Sequence, residues 1–271
     1  MFSIEAVVVN RNSSAYTELL LRSLHARNPD VEGLNVTVVD GHSSDDGVAK
    51  LRDYTESQHI PFQLTSDRYF AAGNSHGEHL RDFALEHSTA DYFLFLDSDV
   101  AFLEDGTILA MQEQLEARPD AFGVQALLSR DGGNEQEIGS DYCAQERIYC
   151  NWVTGSTPES VQTGVPTSAS AMYYKMSPRL PPCCALVRNS NTFLLVAEII
   201  GFSCAHTLAA AGGRGYDTFA LMIQVMRTHG LRHLNATKMV LHFGGVCCGQ
   251  DTPQKQALRD SLLSELRDKV A

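Results

Sequence analysis

The sequence lacks the short signatures of several large enzyme classes. It has no G-x-x-x-x-G-K-[ST] loop, so P-loop chemistry is unsupported. It has no G-x-S-x-G elbow and no Ser-His-Asp order, so a serine hydrolase is unsupported too. No C-x-x-C spacing occurs among the seven cysteines, which argues against a zinc ribbon. Their odd number in a chain of 271 residues argues against a disulfide framework. Cys143, Cys150, Cys183-Cys184, Cys204 and Cys247-Cys248 are expected to be reduced structural thiols of a cytoplasmic protein. Basic residues are scarce: 21 Lys and Arg stand against 33 Asp and Glu, for a net charge of −12. Nucleic acid and anionic membrane are therefore excluded as expected partners, because both rely on phosphates neutralised by basic groups. No apolar run reaches the roughly 18 residues of a membrane span. The best candidate, Leu194 to Cys204, is short and is interrupted by Glu198. Met1-Phe2-Ser3-Ile4-Glu5 has neither a basic nor a long apolar region, so no signal peptide is expected.

What is present is an ordinary globular composition, 44% hydrophobic and 20% charged, with enough chain for one large α/β domain. Strand-like and helix-like segments alternate through the first hundred residues. Ile4 to Val9 is a β-branched run, followed by an amphipathic stretch from Ala15 to Arg27. Leu34 to Val39, Pro61 to Thr65 and Asp91 to Leu96 read as further strands. Asp45 to Ser57 and Ser75 to His87 read as helices between them. This order predicts a parallel sheet with right-handed crossovers and flanking helices. The second half is less regular. Helices are expected over 107–117, 191–201, 218–228 and 254–269, with strands near 122–127, 183–187 and 239–243. Residues 154–170 are rich in Ser, Thr, Gly and Pro and read as a long flexible loop. No repeat or clean linker appears, so 1–271 is expected to be one domain with two functional halves, 1–100 and 101–271.

In parallel α/β sheets, ligands bind outside the carboxyl ends of the strands. Three strand ends here are polar: Asn10-Arg11-Asn12, Asp40-Gly41-His42 and Asp97-Ser98-Asp99. Two carboxylates one residue apart after Tyr92-Phe93-Leu94-Phe95-Leu96 can aim at one cation, and hard oxygens suit Mg²⁺ or Mn²⁺. The plain alternative is a strand end with an Asp helix cap.

The first hundred residues resemble a family 2 glycosyltransferase of the GT-A fold, which implies a Rossmann-like α/β domain with a mixed, mainly parallel sheet flanked by helices. The resemblance rests on an apolar first strand with an Asn-bearing end, on Val38-Val39-Asp40-Gly41-His42-Ser43-Ser44-Asp45-Asp46, and on Leu96-Asp97-Ser98-Asp99. It covers residues 4–128 well and the remainder loosely. It implies that Asn10 and Asn12 line a nucleotide pocket and that Asp40 accepts a hydrogen bond from base or ribose. Asp97 would contact ribose or the metal, and Asp99 would ligate the metal. The sequence departs from the common pattern at Asn10-Arg11-Asn12. It also carries His76-Gly77 and Arg81-Asp82 where many members have a Gly-rich turn and Arg-Asn. His-Gly there is similar to a bacterial subset. His76 and Arg81 are candidate donor contacts, and the alternative for Arg81 is a surface helix arginine.

The resemblance also directs attention to two late residues. His242 ends a short strand before Phe243-Gly244-Gly245, where many GT-A enzymes recruit a histidine as a further metal ligand. Asp217 follows Gly212-Gly213-Arg214-Gly215-Tyr216, where family members place a carboxylate that acts as the general base. The alternatives are an ordinary strand-end histidine and a helix N-cap. The implied reaction is metal-dependent transfer of a sugar from a nucleotide-diphosphate donor, with inversion, to the hydroxyl of a glycan, lipid-linked or small-molecule acceptor. Two rivals stay open: a sugar-phosphate nucleotidyltransferase and a non-catalytic nucleotide- or glycan-binding member.

Overall fold

The structure is a computed structural model that describes residues 2–65, 75–129, 136–137, 149–152, 173–176, 180–202, 218–246 and 250–268. The expected loop 154–170 and Asp217 lie outside them.

The first half folds as the alternation predicts. Strand β1 (Ile4–Asn10) leads to helix α1 (Ser14–Arg27), then β2 (Leu34–Asp40), α2 (Val48–Ser57), β3 (Phe62–Leu64), α3 (Ser75–Glu86) and β4 (Tyr92–Asp97). Runs such as Val7-Val8-Val9 and Phe93-Leu94-Phe95 have no polar face, so they suit strands covered by helices on both sides. Leu19, Leu20 and Leu24 of α1 are fully buried against this sheet.

The second half adds β5 (Val100–Phe102), α4 (Thr107–Glu116), β6 (Ala121–Ser129), β7 (Gln136–Glu137), β8 (Tyr149–Trp152), β9 (Tyr173–Met176), β10 (Cys184–Arg188), α5 (Asn191–Ile199), α6 (Ala220–Thr228), β11 (Arg232–His242) and α7 (Pro253–Asp268). Among the described residues, the main sheet runs β3-β2-β1-β4-β10-β6-β11-β5, with β7 beside β6, and β8 pairs β9 separately. The run β3-β2-β1-β4 is parallel. Strand β10 lies antiparallel between β4 and β6, and β6 is parallel to β11. The result is the expected mixed α/β architecture.

Two differences from the expectation have local causes. Strand β11 begins at Arg232, well before Met239. Its register slips at Arg232/His233 and Asn235/Met239, which breaks the alternation a sequence pattern depends on. Strand β5 is three residues long and carries no period of its own.

Two inversions of direction, β4 to β10 and β10 to β6, leave β4, β6 and β11 pointing the same way. The carboxyl ends of β1, β2, β4 and β11 therefore share one edge of the sheet. Below it, Phe93, Phe95, Phe193, Phe202 and Phe219 form a continuous aromatic layer with neighbouring ring centroids 4.8–6.4 Å apart. Among the described residues, no helix is long and apolar enough to cross a membrane.

Candidate active site

Sheet register builds the site. Val9 of β1 sits beside Asp97 of β4, and Asn10 sits beside Asp40 of β2. His242, the last residue of β11, pairs with Val100, the residue after Asp99. Two chain segments, the β4–β5 turn and the end of β11, thus bring Asp97, Asp99 and His242 together, although 143 positions separate Asp99 from His242 in number. Their ligand atoms all lie within 4.8 Å of one another. His242 Nε2 is 3.3 Å from Asp99 Oδ1 and 3.8 Å from Asp97 Oδ2. On the other side of Asp97, His76 Nε2 stands 3.5 Å from Oδ1, and His76 Nδ1 stands 3.4 Å from Thr218 Oγ1.

Asp99 is 5% exposed, and Phe243 N–H donates to its backbone carbonyl at 3.0 Å. Burial pushes its carboxyl upward. The hydrogen bond and charge of His242 and the Val246 N–H, 3.3 Å from Oδ2, outweigh burial and hold it below the usual carboxylate range. Asp97 is only half-buried. Ser98, between the two, shares a hydrogen bond of 2.7 Å with the Ser13 hydroxyl, which ties the turn after β4 to the start of α1. Behind Asp97 lies fully buried Cys184. Desolvation, with the Asp97 carboxylate adding to it, raises that thiol far above its ordinary pKa. It is an inert part of the core, as is buried Cys183.

The two other polar strand ends form a buried network. Asn10 is 0% and Asp40 1% exposed. Asn10 Nδ2 donates to Asp40 Oδ1 at 2.7 Å and approaches the hydroxyls of Ser14 and Ser43 at 3.1 Å. Asn10 Oδ1 accepts from Ser13 and Thr17, and Asp40 Oδ2 accepts from Ser43 N–H. Here these residues lock the β1 and β2 ends to each other and to α1. Asn12, by contrast, is exposed. Its side-chain oxygen accepts from Ser44 N–H at 2.8 Å. Asn12 and His42 hold left-handed backbone, with φ of 50° and 57°. Such conformations are sparse for residues other than glycine and cluster at functional loops.

Arg81 is not part of this cluster. Its Nε donates to Ala197 O at 3.0 Å, its NH2 reaches Glu198 O at 3.5 Å, and its NH1 lies 3.3 Å from Glu78. A guanidinium there satisfies the open carbonyls at the end of α5 and holds that helix on α3. Sequence reasoning did not find Ser13, Ser98 or the Val246 amide. A backbone N–H carries no residue signature, so only the tertiary structure reveals it.

A family model described as Glycosyl transferase family 2 matches residues 5–177, more than half of the chain. The chain belongs to this family. No curated protein sequence matches it. Solved structures share the fold. TarS of S. aureus superposes with a TM-score of 0.54 at 16% identity, over 97% of this chain and 42% of TarS. The mannosyltransferase PcManGT of Pyrobaculum calidifontis, in complex with GDP-Man and Mn²⁺, gives 0.51 at 15% over 89% of this chain and 56% of the mannosyltransferase. GalNAc-T7 with UDP, GalNAc and Mn²⁺ gives 0.55 at 13%, over 90% of this chain and 44% of its own. Identities this low speak for the fold alone. The family 2 chain thus spans about half the length of these neighbours.

Proposed function

We propose that this family 2 chain is a metal-dependent glycosyltransferase that moves a sugar from a nucleotide-diphosphate donor to a hydroxyl acceptor with inversion. The observation that carries the reading is the grouping of Asp97, Asp99 and His242 at the carboxyl edge of the sheet. Two hard carboxylate oxygens and one imidazole nitrogen fit Mn²⁺ or Mg²⁺, and three protein donors leave positions for phosphate oxygens. Asp99 and His242 would hold the ion, with Asp97 shared between ion and ribose. When bound, the ion supplies the positive charge that the leaving diphosphate needs in a chain of net charge −12.

The remaining roles belong to this chain's own side chains. Exposed Asn12 and half-buried His76 and Asp97 offer polar atoms toward the donor. Asn10 and Asp40 fix the loops that shape its pocket, with Asp40 next to the position expected for the base. Arg81 acts at a distance by seating α3. Asp217, in the position where family members carry the general base, takes the acceptor proton as the hydroxyl attacks the anomeric carbon from the face opposite the diphosphate. The His76-Gly77 pair supports membership of the bacterial subset that carries it. GDP-Man in one structural neighbour and UDP in another leave both bases as donor candidates to be compared.

The test is slow donor hydrolysis without acceptor. UDP- and GDP-sugars are incubated with the protein and Mn²⁺, and released nucleoside diphosphate is measured. Release that requires Mn²⁺ and disappears in Asp99→Ala is expected. Release by Asp99→Ala with EDTA present, at the wild-type rate, overturns the metal role. Tight donor binding with no release under any condition overturns the enzyme reading in favour of a binding protein.

A further inference from the structure

His242 is followed by Phe243 and then by two glycines. Gly244 and Gly245 both hold left-handed backbone, with φ of 66° and 69°. A Cβ on Gly245 would lie 2.6 Å from Gln250 Oε1, so the turn closes tightly on Gln250. This turn must nevertheless be fixed, because Phe243 and Val246 on either side supply two amides that bind Asp99. Glycines alone do not fix it.

The opening of α7 does. Lys255 Nζ donates to Gly244 O at 2.7 Å and to Gln250 O at 3.0 Å, which closes the turn from outside. Lys255 is itself placed by the start of its helix. Pro253 is the first helical residue, and the Thr252 hydroxyl accepts from Lys255 N–H at 3.3 Å as an N-cap. Asp251 anchors the same turn to α1 by accepting from the Tyr16 hydroxyl, and Gln256 steadies its second oxygen at 2.9 Å. Arg259 lies over the Tyr16 ring at 5.0 Å, and Tyr16 meets Phe243 edge-on at 4.9 Å. A continuous set of contacts therefore runs from α1 and α7 to the amides that orient Asp99.

We propose that Lys255 is a positioning residue for the Asp97, Asp99 and His242 centre: its ammonium bridges Gly244 and Gln250 and so presents the Val246 N–H to Asp99. The inference rests on the reading of that centre as a divalent-cation site. Lys255 acts through the two carbonyls that it bridges. It sets the conformer in which Asp99 and His242 converge. Residues that orient metal ligands typically matter by about 10–100-fold in affinity.

The experiment measures Mn²⁺ affinity by calorimetry for the wild type, Lys255→Met and Lys255→Arg, with Leu262→Ala as a packing control in the same helix. Amide exchange at Val246 is followed in each without metal. Lys255→Met is expected to weaken Mn²⁺ binding about tenfold and to speed Val246 exchange. Lys255→Arg should restore most of both, and Leu262→Ala should lower Tm without weakening Mn²⁺ binding. Wild-type Mn²⁺ affinity and unchanged Val246 exchange in Lys255→Met overturn the inference. So does an equal loss of affinity in Leu262→Ala, which would mark the effect as general loosening. A wild type that binds neither Mn²⁺ nor Mg²⁺ overturns the metal reading itself, and this positioning role with it.

Discussion

Binding of Mn²⁺ should stabilise the folded chain, and Asp99→Asn should remove most of that effect. Asparagine has the shape of aspartate, so its side-chain oxygen can still accept from Val246 N–H. What it loses is one carboxylate ligand and the charge opposite His242 Nε2, 3.3 Å away. An ion that binds only the folded state adds about 2.7 kcal/mol when present at 100 times its Kd. For a chain near this size that is a rise of roughly 5–11 °C in Tm, at about 2–4 °C per kcal/mol. The centre is assembled from the β4–β5 turn and the end of β11, so the ion has little affinity for the unfolded chain and the full linkage applies. The folded pKa of Asp99 is depressed. Its ionised form therefore adds stability that is present above the unfolded value of about 3.9 and is lost as pH falls through the lower folded value. Across the working range Asp99 stays charged, and because a metal-bound imidazole must be neutral, binding through such a ligand weakens in acid. The assay is thermal unfolding at pH 7.5 and pH 5.5, with Mn²⁺ or EDTA. A shift of several degrees at pH 7.5 is expected for the wild type, smaller at pH 5.5 and nearly absent in Asp99→Asn. The same shift in wild type and variant refutes the assignment of Asp99 as a ligand.

Asp217→Asn should lower transfer by about 10²–10⁴-fold while leaving donor affinity unchanged, as measured by steady-state kinetics beside calorimetry of donor binding. Wild-type turnover would remove Asp217 from the base role. Glu18 of α1 is 2% exposed and accepts from Arg22 Nε and Lys50 Nζ, each at 2.8 Å. Burial raises its pKa, but the hydrogen bonds from Lys50 and Arg22 prevail and lower it. Its contribution is therefore complete above the unfolded value of about 4.3 and declines as pH falls through the depressed folded value. Urea unfolding between pH 6 and pH 3 should show this slope in the wild type and a flatter one in Glu18→Gln. Parallel slopes would contradict the ion-pair account.

Particular elements show how far the pattern of residues reaches. The run β1-α1-β2 was legible because strands buried on both faces are written as unbroken β-branched runs, and α1 as a spaced set of leucines. Asp97 and Asp99 were legible as a candidate cation pair because two carboxylates one residue apart after an apolar strand can face one ion, although a helix cap would use the same residues. The reach of β11 was not legible, because bulges interrupt its alternation. Nor were the partners of Arg81, because only the placement of α5 beside α3 brings the Ala197 and Glu198 carbonyls to it.

The sequence by itself determined the α/β alternation, the polar strand ends and the acidic balance. These follow from local periodicity and from side-chain chemistry, which are properties of the chain in order. The tertiary structure alone decided that His242 meets Asp99, because that contact depends on two reversals of strand direction and on the register of β5 with β11. It alone decided that Asn10 and Asp40 join one buried network with Ser13, Ser14, Thr17 and Ser43, and that an amide from Val246, held by a lysine on α7, meets Asp99. Those are relations between distant segments, and the composition of any one segment does not encode them.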